Sequence, residues 1–178
     1  GLEMVTHPMT LRYHKSMFPW QPICEALERL KFVSHDASSS CGLHVHVNRS
    51  VVPTIRLMDF VYGHQDFFCR LSRRQENRYA RFSRTESGAS RYVALNTRNK
   101  DTIEFRMFKG TLRWQTILAT LELVHASVVF CNHRKRAQLN GTAIQDFTEY
   151  VQDRCPYLVD YMKGRKMTCA SLASSTPV

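Results

Sequence analysis

Cys41-Gly42-Leu43-His44-Val45-His46-Val47-Asn48 is the stretch on which the fold turns. In an extended chain residues i and i+2 project from the same side, so Leu43, Val45 and Val47 form one face and His44, His46 and Asn48 the other. The alternation predicts a strand over Gly42–Asn48 with an apolar side for a core and two parallel imidazoles on a rigid polar side.

A second stretch, Thr102-Ile103-Glu104-Phe105-Arg106-Met107-Phe108, has the same period. Ile103, Phe105 and Met107 fall on one face and Glu104, Arg106 and Phe108 on the other. Arg91–Asn96 reads as its hairpin partner, joined through the polar connection Thr97–Asp101. Glu104 is a hard oxygen donor suited to a divalent cation, or half of an ion pair with Arg106; the guanidinium is a fork donor for phosphate or carboxylate. Imidazoles with carboxylates suit Mg2+ or Mn2+ when phosphates complete the shell and zinc when they do not, so ligand type leaves the metal open. Glu3, between apolar neighbours in Gly1–Thr6, is a third candidate on a predicted terminal strand.

Helical patterns surround these strands. Short helices are predicted over Thr10–Met17 and from Pro22 to near Ser34, a longer one from Pro53 to about Arg70, and the strongest over Leu112–Asn132. Two more follow over Thr142–Gln152, with Thr142 as N-cap, and Pro156–Lys163. The basic, serine-rich stretch Arg70–Arg91 reads as a loop or lid, and Gly164–Val178 as a mobile tail. Strands among helices in this order read as an α+β class.

Composition sets the outer bounds. A chain of 178 residues with 43% hydrophobic content can bury a core without disulfides or a structural metal, which excludes collagen-like, disordered and disulfide-scaffold classes. Six cysteines without a C-x-x-C pair read as reduced thiols, with Cys24, Cys69 and Cys131 in apolar helical patterns. The apolar runs Leu121–Val124 and Ser127–Cys131 are broken by Glu122 and His125, so no membrane span is expected. The opening residues lack a basic n-region and an apolar h-region, giving no secretory signal and a cytoplasmic expectation. A net charge of +10 favours anionic partners without choosing between nucleic acid, nucleotide phosphates and acidic substrates.

Gly1 to Met9, Cys41 to Val47, Ser90 to Asn96 and Thr102 to Thr111, taken in order, resemble the amidoligases of phages and bacteria, carboxylate–amine ligases of the glutamine synthetase and glutamate–cysteine ligase superfamily. The resemblance runs from Gly1 to about Asn132. It implies a glutamine-synthetase-like catalytic domain over residues 1–163, an antiparallel sheet with helices packed on one face, with residues 164–178 as tail, that binds ATP and Mg2+ or Mn2+ and joins an amino-acid or peptide carboxylate to an amine through an acyl phosphate. It implies metal binding by Glu3, His44 and Glu104, nucleotide contacts from His46, Arg73 and Arg74, substrate contacts from Asn96 and Arg106, and catalytic roles for Arg106 and Arg91. Arg73, Arg74, Arg78, Arg81 and Arg84 would then lie in a lid over the phosphates. Members carry an earlier Gly-x-Glu-x-Glu strand that has no counterpart before Gly1, so the expectation is an N-terminally incomplete domain, completed by a second polypeptide or reduced to binding.

Two alternatives stand beside the ligase. A non-catalytic binding or assembly module would keep the sheet without the activity. A single-strand DNA nickase would use His44-Val45-His46 for its metal and Tyr150, Tyr157 or Tyr161 as nucleophile, though nothing in that scheme calls for Glu104-Phe105-Arg106, and nucleic acid is not the expected partner.

Overall fold

The computed structural model describes residues 3–34, 41–74 and 76–167. They form an α+β domain in which three strands, seven α-helices and two short 3-10 turns enclose a large apolar core, with a smaller apolar cluster of Trp20, Cys24, Ile117 and Leu118 where the Trp20–Arg29 helix meets the Trp114–Asn132 helix.

Strand β1 (Gly42–Asn48) runs antiparallel to β3 (Thr102–Lys109), and β2 (Leu95–Asn96) pairs with the other edge of β3, giving the order β1-β3-β2. His46 stands opposite Glu104, which also faces Asn96 of β2, so the chemical residues of three strands meet on the central one. The β1 alternation holds: Leu43, Val45 and Val47 pack against the core, while His44, His46 and Asn48 are exposed. In β3 it holds as far as Arg106 and then fails. Between the pairs Val45↔Phe105 and Leu43↔Phe108, β1 advances two residues and β3 three, a bulge that turns Phe108 from its expected polar side into the core beside Phe105.

Two expected strands are corrected. Residues 3–10 form neither strand nor helix, and Glu3, Met4 and Val5 are exposed; Gly1 and Leu2 lie outside the described residues. Alternation without a partner ladder does not make a strand. The Arg91–Asn96 strand shortens to Leu95–Asn96, with Val93 in a single parallel bridge to Arg81.

The helices lie close to their expected places. Helix α1 (Leu11–Ser16) is capped by Thr10, whose Oγ1 accepts from the Tyr13 amide at 3.2 Å, and α2 (Trp20–Arg29) follows, ending before the expected Ser34. The single helix expected from Pro53 to Arg70 is two, α3 (Thr54–Gly63) and α4 (Gln65–Ser72). They break at His64, which leaves helical geometry at φ −127°, ψ 45° while its ring nitrogen sits 2.8 Å from the Phe60 carbonyl. The bend lets Phe60 and Phe68 meet edge to face, with Phe60 also against Phe130 and Phe147.

Helix α5 (Trp114–Asn132) crosses the core against α6 (Ala143–Val151) and α7 (Pro156–Lys163), with Thr142 making no side-chain cap bond to α6. At 19 residues with a mean hydropathy of 1.3 over its most apolar window, α5 matches a membrane span in length and composition, which the broken-run reading missed. Yet 72% of that window is buried within the protein, and Glu122 at its middle is fully buried. A helix apolar nearly all round is here the central core element. Lys15 Nζ of α1 reaches Glu122 Oε1 at 2.5 Å, and Glu122 Oε2 accepts the Leu158 amide at 2.9 Å in the first turn of α7, so one carboxylate ties three helices together.

The expected tail begins too early. Met167 is buried in the core and its amide reaches Met162, so residues 164–167 belong to the domain; residues 168–178 lie outside the described part. No disulfide joins the cysteines among the described residues, and burial pushes the Cys131 thiol up to about 12 and that of Cys155 to about 11.

Candidate functional site

Glu104 is the centre of the polar side of the sheet. Burial leaves it 5% exposed, its Oε1 accepts from Arg106 Nη1 at 2.6 Å, and its Oε2 accepts from Asn96 Nδ2 at 2.8 Å. His44 Nδ1 and His46 Nε2 stand 3.4 and 3.7 Å from Oε1. The His46 ring is held from the other side, with Nδ1 3.2 Å from Thr102 Oγ1. Each contact follows from register: Glu104 and Arg106 are i and i+2 on one strand, and its two neighbours supply the histidines and the amide.

Arg74 enters from the end of α4. It is 8% exposed, and a Cβ added at Gly42 would stand 2.9 Å from His44 Nε2 and 3.3 Å from Arg74 Nη1, so imidazole and guanidinium both lie over that glycine. Burial lowers the Arg74 pKa, and the Arg106 charge lowers it further. Although the His44 side chain keeps 32% of its surface exposed, desolvation of the rest of the ring holds it below its ordinary value, reinforced by Arg106 and Arg74 and only partly opposed by Glu104, which leaves His44 neutral at pH 7. Arg74 and Arg106 therefore stand on the same polar side of the sheet as His44, His46 and the Glu104 carboxylate. The buried Arg106 Nε has no hydrogen-bond partner among the described residues. A guanidinium with a donor to spare suits phosphate or carboxylate oxygens.

Other expected site residues lie elsewhere or do other work. Glu3 is exposed on a non-strand segment, and among the described residues no three His, Cys, Asp or Glu side chains form a group that could hold a metal. Glu3, His44 and Glu104 are therefore not assembled as a metal triad. His44, His46 and Glu104 are donors of a suitable kind, but Arg106 stands where a cation would meet the Glu104 carboxylate, so these residues do not fit a metal by themselves. Arg73 caps α4 in the left-handed region at φ 59° and donates to the Lys109 carbonyl at 2.5 Å, a tie between α4 and β3 rather than a free phosphate donor. Arg91 is exposed, with its guanidinium over the Tyr92 ring and Nη2 2.9 Å from the Tyr92 hydroxyl.

The arginine-rich stretch is built in rather than poised as a lid. Arg81 pairs with Glu86, Arg84 with Asp59 of α3, and Ser87 and Thr97 are linked through the Thr97 amide and hydroxyl to the Ser87 carbonyl. Asp59 also takes Arg136 Nε at 2.5 Å and Nη2 at 3.3 Å, so it pins both this stretch and the turn after α5. Burial pushes the Asp59 carboxyl up, but the Arg136 and Arg84 hydrogen bonds outweigh it and hold the pKa below the ordinary range. A depressed carboxyl stabilises fully above its unfolded value of about 3.9 and loses that contribution as pH falls through the folded value. Asp59→Asn is expected to cost about 1–2 kcal/mol at pH 7, since both arginines are partly exposed, with the gap from the parent closing below about pH 4 in urea unfolding.

Asp59 carried no sequence signal, because its partners are 25 and 77 residues away. Glu122 did carry one, as a lone acid inside an apolar helical run. Tyr150, Tyr157 and Tyr161 pack against Arg154, Lys15 and Arg165 respectively, and the Tyr161 hydroxyl donates to the Leu71 carbonyl at 3.3 Å. No protein-family model, curated protein or solved structure matches this chain.

Proposed function

We propose that this domain is an ATP-dependent carboxylate–amine ligase that works through an acyl phosphate. The observation that carries the reading is the side-chain cluster on β3 and its neighbours: a buried Glu104 clasped by Arg106 and Asn96, flanked by two strand histidines, with the Arg106 Nε donor to spare. The resemblance of the two strand sequences to amidoligases supports it.

A carboxylate is a poor electrophile, so amide formation in water needs a leaving group. One oxygen of the substrate carboxylate attacks the γ-phosphorus, the bond to the ADP oxygen breaks, and the acyl phosphate forms. Arg106 and Arg74 hold the anionic oxygens of the group in transfer. The amine then attacks the acyl carbon and inorganic phosphate leaves. Neutral His44 is available to take the proton that the amine nitrogen sheds. Glu104 orients Arg106 by its short contact and, with Asn96, fixes the cluster before substrate arrives. A divalent ion would enter on the nucleotide's phosphates. Reduced thiols agree with a cytoplasmic setting.

Hydroxylamine trapping tests the chemistry without knowledge of the natural amine. With ATP, Mg2+ or Mn2+ and a panel of amino acids and peptides, an acyl hydroxamate and equimolar ADP are expected for at least one carboxylate, both lost in Arg106→Ala.

A second reading, a non-catalytic binding or assembly module on the same sheet, is favoured by the Arg106 contact that already occupies the Glu104 carboxylate. Saturable ATP binding with no ADP or hydroxamate would select it. A covalent tyrosine–DNA adduct formed with Mn2+ would instead select the nickase.

A further inference from the structure

Two tyrosines beside the Glu104 cluster belong to neither the core nor the proposed chemistry. Arg78 lies over the Tyr79 ring with its guanidinium carbon 4.8 Å from the centroid, and Arg91 lies over Tyr92 at 4.9 Å. The rings meet 6.0 Å apart at 69°, so two separate segments of chain bring an Arg-Tyr-Tyr-Arg row together. Each pair is local in sequence, as are the i, i+4 pairs Arg134 with Phe130, Arg154 with Tyr150 and Arg165 with Tyr161 at helix ends; what sets these two apart is that they come from separate segments and their rings touch.

The row has a fixed base. Ala80 and Val93, next in sequence to the two tyrosines, are buried, and the Arg81 amide reaches the Tyr92 carbonyl at 3.0 Å while the Ala94 amide reaches the Arg81 carbonyl at 2.8 Å. The Tyr79 amide donates to Asn77 Oδ1 at 2.8 Å. Tyr92 nevertheless keeps 36% of its surface exposed. The same backbone leads into the cluster: the Ala94 carbonyl accepts the Arg106 amide at 2.9 Å, and Asn96 is two residues further on.

We propose that Tyr79 and Tyr92, with Arg78 and Arg91, are the stacking platform for the purine base of the nucleoside triphosphate whose phosphates lie by Arg106 and Arg74. This rests on the nucleotide reading above and adds the base subsite to it. Aromatic faces and guanidinium planes bind π-surfaces with little regard to the base edge. The platform therefore separates a nucleotide from a bare polyphosphate, but adenine from guanine hardly at all.

Binding of Mg–ATP, Mg–GTP and Mg–tripolyphosphate to the whole chain, read by calorimetry, tests this. The parent should bind ATP and GTP alike and tripolyphosphate about tenfold more weakly, the size of one base–aromatic stack. Tyr92→Ala and the double change Tyr79→Ala with Tyr92→Ala should erase that preference while leaving tripolyphosphate affinity unchanged, which also reports an intact fold; Tyr92→Phe should keep it. A preference that survives the double change overturns the platform and leaves the nucleotide reading standing. Binding of neither ATP nor tripolyphosphate by the parent overturns both. A single-stranded oligonucleotide without a triphosphate that binds at these tyrosines as tightly as ATP overturns the assignment in favour of nucleic acid.

Discussion

Arg106→Ala is expected to weaken tripolyphosphate and ATP binding by at least about a hundredfold and to destabilise the fold by about 3 kcal/mol. Removing one partner of a buried pair leaves the other charge in low dielectric, and here Glu104, 5% exposed, would keep only Asn96 and the more distant imidazoles of His44 and His46. In a domain of this size that cost lowers the melting temperature by roughly 6–12 °C. The binding loss is separate in origin, because in the proposed ligase the guanidinium is the donor to the anion, and a charge-assisted contact is worth about twice a neutral hydrogen bond. Arg106→Lys separates the two effects. It restores the countercharge and much of the stability, but a point charge cannot reproduce the fork, so binding stays weak. Thermal unfolding and calorimetry on the same samples check both halves; full tripolyphosphate affinity in a folded Arg106→Ala protein would remove Arg106 from the site.

Glu122→Ala is expected to be at least as damaging to the fold and harmless to the Glu104 cluster. It removes the partner of Lys15 and, in the same atom pair, the acceptor of the Leu158 amide at the start of α7. About 3 kcal/mol is expected, less than the extreme for a buried pair because Lys15 retains 27% of its side-chain exposure and can turn to water. Glu122→Gln keeps an acceptor for Leu158 and should recover about half of the loss. Urea unfolding gives the stabilities, and tripolyphosphate binding by the folded fraction should be unchanged, the reverse of the Arg106 pattern.

Much of this was legible locally. Period two in Leu43-His44-Val45-His46-Val47 fixed which side of β1 is apolar, because a strand has only two sides and water selects between them. The apolar spacing of residues 114–132 likewise marked the central helix. Where residues act through distant partners, local pattern was silent or misleading. Met4 and Val5 alternate with polar neighbours like a strand but have no ladder to join. The Arg81 and Arg84 side chains read as a free basic run, yet Glu86 and Asp59 neutralise them.

The sequence by itself determined the α+β class, the polar and apolar sides of β1, and the residue types able to bind an anion, since each depends on periodicity within one segment. Only the tertiary structure decided that β1 and β2 flank β3, that a bulge sends Phe108 inward, that Arg74 joins Arg106 while Glu3 stays outside, and that Glu122 binds three helices. The physical reason is that strand register, buried ion pairs and the gathering of arginines beside one carboxylate are relations between segments far apart in the chain, fixed by which apolar faces pack together.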